Sequence, residues 1–318
     1  MTLSEREAAR GMLLGLALGD ALGWPVEFLD RPQIGAHFGR DGITAPPDPA
    51  LITDDTQMSA AVAEALIEAG RSDLDSLMQA TARKFIAWKN DPATASRAPG
   101  TTCIRGVNAL AAGAPWHEAG VKDSKGCGAC MRVAPVGYFY QFQPEQLKTV
   151  ARSQAWLTHR HPTADAASVG SAYLVKLALD GTPPAEYAAR TLDFAQGLSE
   201  EFEAALYRVG HVIGWTDEEA ALNHVGPTRG GGWIAEEAVA MALYCVLKYP
   251  DSYPAAVTLA ANISGDSDTV ASITGGILGA RLGPEALPPD WVERLENRDY
   301  YLGLADRLAA RKMEAGGP

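Results

Sequence analysis

A glycine stands at every fourth position in Gly11-Met12-Leu13-Leu14-Gly15-Leu16-Ala17-Leu18-Gly19-Asp20-Ala21-Leu22-Gly23. Residues four apart lie on one face of an α-helix, so the spacing predicts a helix with a ridge of glycines. Each glycine lowers helix propensity by about 1 kcal/mol relative to alanine, so close packing against a neighbour must compensate. Gly275, Gly279 and Gly283 repeat the pattern near the other end of the chain. The two ridges predict a tightly packed helical core.

Helical periodicity extends through most of the remaining sequence. Apolar residues recur at intervals of three and four, whereas alternating strand patterns are almost absent. Residues 133 to 142 could form one short extended piece, and residues 291 to 311 are expected to form one helix. No Ser/Gly-rich linker divides the chain. The sequence therefore predicts an all-α fold formed by a single domain over residues 1–318.

Composition limits the classes of function. The chain has 318 residues, of which 47% are hydrophobic and 21% charged, an ordinary globular composition. Its formal net charge of −12 argues against sequence-independent binding of nucleic acid through phosphates. Four cysteines are too few for a disulfide scaffold, and neither a signal peptide nor a membrane-spanning apolar run is recognisable. We expect a cytoplasmic protein without a membrane partner.

Two short acidic clusters stand near opposite ends of the chain. They are Thr53-Asp54-Asp55-Thr56 and Asp266-Ser267-Asp268-Thr269. Carboxylates with neighbouring hydroxyls are hard oxygen ligands, which Mg²⁺, Mn²⁺ and Ca²⁺ prefer. The alternative is that Asp54 and Asp266 only cap helix N-termini. Adjacent carboxylates repel each other, however, so a pattern that occurs twice favours a site for one or two metal ions.

Three further features of the sequence could take part in catalysis or ligand binding. Glu27 follows the glycine ridge and could be a general base or a partner of a metal-bound water, or simply a solvated loop acid. The glycine-rich stretch from Ser124 to Arg132 could expose backbone amides to phosphate oxygens. His159 could donate a hydrogen bond to a ligand or could be structural.

Cys127 and Cys130 have CxxC spacing within the glycine-rich stretch. A zinc site would need two more soft ligands, for which Cys103 and His117 are the candidates. A redox pair is the other alternative, although the βαβ context of thioredoxin-like proteins is missing. The sequence leaves the role of the two cysteines open.

Taken together, these motifs resemble the ADP-ribosylglycohydrolase family, and they run in order across nearly the whole chain. The motifs are Gly11 to Gly23 with Glu27, Thr53-Asp54-Asp55-Thr56-Gln57-Met58, Arg97-Ala98-Pro99-Gly100-Thr101-Thr102, Met131-Arg132-Val133-Ala134-Pro135-Val136-Gly137, Thr158-His159, Trp233-Ile234-Ala235-Glu236-Glu237-Ala238 and Gly265-Asp266-Ser267-Asp268-Thr269-Val270-Ala271.

The resemblance implies an orthogonal bundle of helices around a central metal-lined cleft, with two Mg²⁺ (or Mn²⁺) ions. It implies hydrolysis at C1″ of the distal ribose, which releases ADP-ribose from a modified protein or another ADP-ribosyl conjugate. The implied metal ligands are Thr53, Asp54, Asp55, Asp266, Asp268 and Thr269. The implied catalytic residues are Glu27, Asp54 and Asp55. The implied ligand-binding residues are Gly100, Ser124, Gly126, Cys127, Gly128, Met131 and His159.

The chain departs from the family pattern in the glycine-rich loop. The family usually has Gly-Asn-Gly before the Met-Arg pair, whereas this chain has Gly126-Cys127-Gly128 and a second cysteine at Cys130. The departure indicates either a different substrate preference or a redox-sensitive loop. Two other functions stay open at this point: a protein that binds ADP-ribose without catalysis, and a hydrolase of another nucleotide or glycosidic conjugate.

Overall fold

A computed structural model describes residues 3–228 and 231–314, so six terminal residues and positions 229 and 230 of the predicted domain lie outside the described residues. Within these ranges the chain forms α-helices, short 3₁₀ segments and three isolated β-bridges, and no strand. The prediction of an all-α single domain is confirmed. The α-helices are α1 (Glu5–Gly23), α2 (Arg31–Phe38), α3 (Asp54–Ala69), α4 (Leu74–Asn90), α5 (Thr101–Ala111), α6 (Trp116–Ala119), α7 (Ala134–Phe139), α8 (Pro144–Trp156), α9 (Pro162–Leu179), α10 (Tyr187–Ala195), α11 (Glu200–Val212), α12 (Glu218–Val225), α13 (Ala235–Lys248), α14 (Tyr253–Ala261), α15 (Ser267–Leu282), α16 (Pro289–Arg294) and α17 (Arg298–Glu314). The 3₁₀ segments are Trp24–Val26, Thr94–Ser96, Cys127–Ala129, Pro184–Glu186 and Pro284–Ala286.

The two glycine ridges pack against each other and form the centre of the core. Helix α1 lies along α15, and a methyl group on Gly15 would overlap the carbonyl oxygen of Gly275. In the same way, a methyl group on Gly19 would overlap the carbonyl oxygen of Ala271. The two backbones are therefore in direct contact, as the glycine spacing predicts, and side chains contribute little to their separation.

This contact continues to the start of α15, where the second acidic cluster lies. A Cβ atom on Gly23 would lie 2.5 Å from the backbone nitrogen of Asp268. The hydroxyl of Ser267 donates a hydrogen bond of 2.9 Å to the carbonyl oxygen of Gly23. The end of α1 and the beginning of α15 are therefore held together beside the acidic residues.

Two local expectations are wrong. The expected extended piece over 133–142 is replaced by α7, because Pro135 suits a first helical turn and Gly137 lets the carbonyl of Ala172 approach. Residues 133–141 are all buried, so their apolar pattern could not distinguish a helix from a strand. The single helix expected over 291–311 is broken between α16 and α17, where Asn297 has a φ of 55°.

No single helix among the described residues is long and apolar enough to cross a membrane. The segments Glu5–Val26 and Arg31–Phe38, bent by 93° relative to each other, reach the required length and hydropathy only as a pair.

Candidate functional site

A cavity of about 340 Å³ opens where the ends of α1, α3 and α15 meet. Its volume lies within the usual range for small-molecule sites. Carboxylates line its floor, and the glycine-rich loop and backbone near Gly100 line its wall. The lining residues are Glu27, Phe28, Asp54, Asp55, Ala98, Pro99, Gly100, Thr101, Thr102, Cys103, Gly126, Cys127, Gly128, Met131, His159, Trp233, Asp266, Asp268 and Thr269.

Asp20 holds the first acidic cluster in place. It is fully buried near the end of α1 and accepts hydrogen bonds from the backbone nitrogens of Thr53 and Thr56, at 3.0 and 3.1 Å. The hydroxyls of Thr53 and Thr56 also donate to it. These bonds occupy the free amides at the N-terminus of α3, which favours negative charge. Asp20 thereby fixes the first turn of α3, from which Asp54 and Asp55 extend into the cavity.

The carboxylates of the first cluster have different surroundings. Asp54 Oδ2 accepts a hydrogen bond of 3.0 Å from the backbone nitrogen of Gly100. Asp55 Oδ2 lies 3.4 Å from the hydroxyl of Thr269, a residue of the second cluster. Asp55 Oδ1 is buried and has no hydrogen-bond partner. A buried oxygen without a partner is costly, so Asp55 is poised to bind a cation.

The second cluster meets Glu27 across the cavity floor. Glu27, Asp266 and Asp268 offer carboxylate oxygens that all lie within 4.8 Å of one another. Glu27 Oε2 also lacks a hydrogen-bond partner. Among the described residues, no Lys or Arg forms an ion pair with these three carboxylates. The cluster therefore has no basic side chain that would neutralise its carboxylates.

Burial raises the pKa of six neighbouring carboxyl groups, those of Asp20, Glu27, Asp54, Asp55, Asp266 and Asp268. Burial is the largest cause for each, and repulsion from Asp268 adds to it for the others. The pKa rises to about 7 for Asp20, about 8 for Asp54 and about 10 for Glu27. Burial also raises the pKa of Asp55 and Asp266 well above the usual range. A bound divalent cation would offset this repulsion, so the donor set fits a hard metal ion.

The glycine-rich loop is anchored on both sides. The hydroxyls of Ser124 and Thr102 lie 3.0 Å apart, and Lys125 donates 2.7 and 3.0 Å hydrogen bonds to Glu236 and Glu201. A Cβ atom on Gly128 would lie 2.5 Å from the sulfur of Cys103 and 3.0 Å from His159 Cε1. The loop can approach His159 this closely only because a glycine stands there.

Cys127 places a thiol directly beside the second acidic cluster. Its Sγ donates a hydrogen bond of 2.9 Å to Asp266 Oδ2, and the hydroxyl of Thr269 lies 3.8 Å from the same sulfur. Burial and the neighbouring charge of Asp266 raise the pKa of the Cys127 thiol well above its usual range. Unlike Cys127, Cys130 does not donate to the acidic cluster. Its sulfur donates to the carbonyl oxygens of Cys127 and Ala235, at 3.1 and 3.8 Å.

A chain of hydrogen bonds fixes the tautomer of His159. The guanidinium of Arg132 donates to Thr158 Oγ1 at 2.8 Å, and Thr158 Oγ1 lies 2.8 Å from His159 Nδ1. Arginine only donates, so the hydroxyl accepts from Arg132, and among the described residues Nδ1 is the one acceptor within reach of the hydroxyl proton. Burial and the charge of Arg132 lower the pKa of His159 to about 3, so the ring is neutral. The remaining ring proton is therefore on Nε2, and His159 can donate a hydrogen bond to an acceptor in the cavity.

Replacing Thr158 with valine should disturb this tautomer without removing His159. The variant keeps the shape of the side chain but loses the hydroxyl, so Nδ1 no longer accepts a fixed hydrogen bond. We expect a ligand that accepts a hydrogen bond from Nε2 to bind about tenfold more weakly, in line with roughly 1–2 kcal/mol for a lost hydrogen bond. Nitrogen NMR of His159 should show a mixture of tautomers in Thr158→Val and one tautomer in Thr158→Ser. One unchanged tautomer in both variants would contradict the assignment.

An aromatic pair stands at the mouth of the cavity. Phe28 follows Glu27, is 69% exposed, and stacks on Trp233 with ring centroids 5.1 Å apart and an interplanar angle of 24°. Its φ is 69°, in the left-handed region that residues other than glycine seldom adopt. Strained backbone of this kind is most often found at functional sites.

Of the site residues that the sequence predicts, all except Thr53 and Ser124 line this cavity. The hydroxyl of Thr53 donates to Asp20, and that of Ser124 pairs with Thr102. The sequence reasoning assigned no role to Asp20 or to the pair Phe28 and Trp233. Asp20 could have been noticed, because it is the one charged residue within a glycine ridge of small and apolar residues.

Comparisons with known proteins find similar proteins over nearly the whole length of this chain. A family model described as ADP-ribosylglycohydrolase matches residues 1–317. An ADP-ribosyl-[dinitrogen reductase] glycohydrolase from Rhodospirillum rubrum is 28% identical over 308 residues, covering 92% of each chain. The ADP-ribosylarginine hydrolase Tri1 from Serratia proteamaculans is 26% identical, covering 95% of this chain and 79% of its own. A solved structure described as an ADP-ribosylglycohydrolase-related protein complex superposes with a TM-score of 0.77 at 27% identity, covering 98% of this chain and 99% of that one.

Proposed function

Because the chain belongs to the ADP-ribosylglycohydrolase family and is therefore a hydrolase of glycosyl bonds, we propose that it cleaves the bond at C1″ of the distal ribose in a metal-dependent reaction. The products would be free ADP-ribose and the unmodified acceptor, which is a protein or another conjugate. The observation that carries the proposal is the set of buried carboxylates around one cavity, two of which have an oxygen without a partner.

We assign the metal centre to both acidic clusters. Asp54 and Asp55 would hold it from α3, and Asp266, Asp268 and Thr269 would hold it from the start of α15. When bound, Mg²⁺ or Mn²⁺ ions would orient the ribose hydroxyls and a water molecule and would stabilise negative charge. Support comes from the repulsion that raises the pKa of these carboxyl groups and that a cation would relieve. The hydroxyl of Thr53 would act indirectly, since it already donates to Asp20.

Glu27 is the residue we favour for proton transfer. It lines the cavity together with Asp266 and Asp268, and its Oε2 has no hydrogen-bond partner in the protein. Cleavage at C1″ needs a proton for the leaving atom and removal of a proton from the attacking water. Glu27 can serve both steps in turn, while the alternative base is Asp54 or Asp55. Nearby carboxylates would also stabilise the positive charge that develops on the ribose during cleavage.

The remaining cavity residues would bind the rest of ADP-ribose. Backbone amides of Gly126 and Gly128 would face the diphosphate, together with Gly100 and Met131 on the wall. The amide of Cys127 instead donates a 3.3 Å hydrogen bond to the carbonyl oxygen of Trp233, so Cys127 would contribute through its side chain. The Nε2 proton of His159 would donate to a ribose or phosphate oxygen. Ser124 would support the loop through its contact with Thr102.

Release of ADP-ribose tests the function directly. Peptides ADP-ribosylated on arginine or on serine would be incubated with the protein and Mg²⁺ or Mn²⁺, and free ADP-ribose measured by chromatography. We expect turnover of at least one linkage and its loss in chelator. The matched Glu27→Gln variant should bind ADP-ribose but turn over on the order of a hundredfold more slowly. Absence of turnover on every linkage with both metals would refute the proposal.

Removal of metal should make the stability of the protein depend strongly on pH. The carboxyl groups have folded pKa values above their unfolded values of about 4, so the folded metal-free protein holds extra protons. The stability that these protons contribute is present below about pH 4 and is lost as pH rises through the folded pKa values, about 7 for Asp20, about 8 for Asp54 and about 10 for Glu27. Thermal unfolding in chelator should therefore show a Tm that falls as the pH is raised from 5 to 8.

Addition of Mg²⁺ should raise the Tm more at the alkaline end of this window than at the acidic end. Sodium chloride at equal ionic strength is the control, since it screens charge without binding the cluster. An equal rise in Tm with both salts at every pH would contradict a specific metal site.

A further inference from the structure

We propose that Cys127 is a sulfur ligand of the metal centre, which gives this chain a higher affinity for borderline divalent ions such as Zn²⁺ and Co²⁺ than an all-oxygen site would have. The inference rests on the metal centre of the proposed function. It concerns the one position at which the glycine-rich loop carries a thiol next to the acidic cluster.

The position of the sulfur carries the inference. Cys127 Sγ lies 2.9 Å from Asp266 Oδ2, an oxygen of the cluster itself. A sulfur and an oxygen at about 2.3 and 2.1 Å from one Zn²⁺ lie about 3.6 Å apart at the tetrahedral angle that zinc prefers. Cys127 and Asp266 would therefore need to move apart by less than about 1 Å to bind one ion together.

A second and independent observation points to a cation at the same place. Asp55 Oδ1 has no hydrogen-bond partner, and Asp55 is only 2% exposed on the cavity floor. Thr269 connects the two groups, since its hydroxyl lies 3.4 Å from Asp55 Oδ2 and 3.8 Å from Cys127 Sγ. Thr269 thus lies between the thiol and Asp55, and it follows Asp268 of the carboxylate group formed with Glu27 and Asp266.

The chemistry balances without an oxidant. Without metal, the thiol proton is directed at Asp266. When the ion binds, the S–H bond breaks, a sulfur–metal bond forms and the proton passes to water. Thiolate sulfur favours Zn²⁺ and Co²⁺ over Mg²⁺, which prefers oxygen ligands and keeps its water. Cys127 would thereby determine which metals the site accepts.

The competing role for Cys127 is that of a simple hydrogen-bond donor that positions Asp266. Serine could fill that role, because its hydroxyl also donates to a carboxylate. The two roles therefore make different predictions for the Cys127→Ser variant.

Cobalt spectroscopy distinguishes them. The chelated full-length protein would be titrated with Co²⁺ and observed for the sulfur-to-cobalt charge-transfer band in the near ultraviolet. We expect the band in the parent protein and in Cys130→Ala, whose sulfur faces backbone carbonyls, and its loss in Cys127→Ser. Calorimetry should show Co²⁺ and Zn²⁺ binding weakened at least about tenfold by Cys127→Ser, and Mg²⁺ binding changed by less than about threefold.

Any one of three outcomes would overturn the proposal: absence of the charge-transfer band in the parent protein, persistence of the band in Cys127→Ser, or unchanged Zn²⁺ affinity in that variant. Cys127→Asn, which also lacks sulfur, repeats the test if the serine variant does not fold. Neither readout uses hydrolysis, so a protein that hydrolyses ADP-ribosyl conjugates without the band rejects only this inference. A protein with the band but no turnover rejects only the proposed activity.

Discussion

Replacing Asp55 with asparagine should lower kcat/KM by about a thousandfold and should make the metal-free protein no less stable. Asp55 is buried on the cavity floor, and one of its oxygens has no partner in the protein. Loss of metal-assisted charge stabilisation costs several kcal/mol, and each 1.36 kcal/mol is about tenfold in rate. The amide removes a charge that Asp268 and Asp20 repel, so folding without metal becomes easier.

Two measurements are needed, kcat/KM for ADP-ribose release at saturating Mg²⁺ and the Tm in chelator. Asp299→Asn is the matched control, because Asp299 is a surface residue remote from the cavity lining and should change neither quantity. An Asp55→Asn protein with activity within about tenfold of the parent would exclude Asp55 as a metal ligand. A large fall in the Tm in chelator would show that the carboxylate is structural instead.

Replacing Gly19 with alanine should destabilise the fold by about 3 kcal/mol or more, although alanine is the better helix former. The added methyl group would overlap the backbone carbonyl of Ala271, and backbone cannot move aside as a side chain can. The gain in helix propensity, about 1 kcal/mol, is too small to offset this overlap. Equilibrium unfolding in urea measures the difference.

Two other glycines provide the controls. Gly210 in α11 has no atom near the position of an added Cβ, so Gly210→Ala should stabilise the protein slightly, by up to about 1 kcal/mol. Gly11→Ala meets the backbone of Gly279 and should destabilise about as much as Gly19→Ala. It lies about two helical turns farther from the acidic cluster, so Mg²⁺ affinity of the folded fraction should fall only in Gly19→Ala. Equal Mg²⁺ affinities in the two variants would show that the ridge does not set the metal geometry.

The features readable from the sequence were those encoded within a few residues. Spacing of four identifies a glycine ridge, and two acids among hydroxyls identify a hard-ligand cluster, because both patterns act through neighbours along the chain. The fold class followed from the same local periodicity. For this reason the ridge at Gly11 to Gly23 was predicted in detail, together with the packing it requires.

The features that escaped prediction depend on contacts between distant segments. Asp20 binds the start of α3 from 33 residues away, and Cys127 meets Asp266 across 139 residues. No pattern within either segment specifies these partners. The direction of a side chain also depends on its surroundings, which is why the hydroxyl of Thr53 is directed at Asp20 and that of Ser124 at Thr102.

The backbone conformation of Phe28 determines which residues evolution would favour at this position. Its left-handed φ and its largely exposed ring are both unfavourable for folding. Glycine or asparagine would adopt the same backbone more easily and would leave less apolar surface in water. Selection for stability alone would therefore replace Phe28, whereas selection for which ligands can enter the cavity would retain it. At Phe28, selection for stability and selection for activity therefore favour different residues. We expect relatives that act on other acceptors to differ from this chain first at this position.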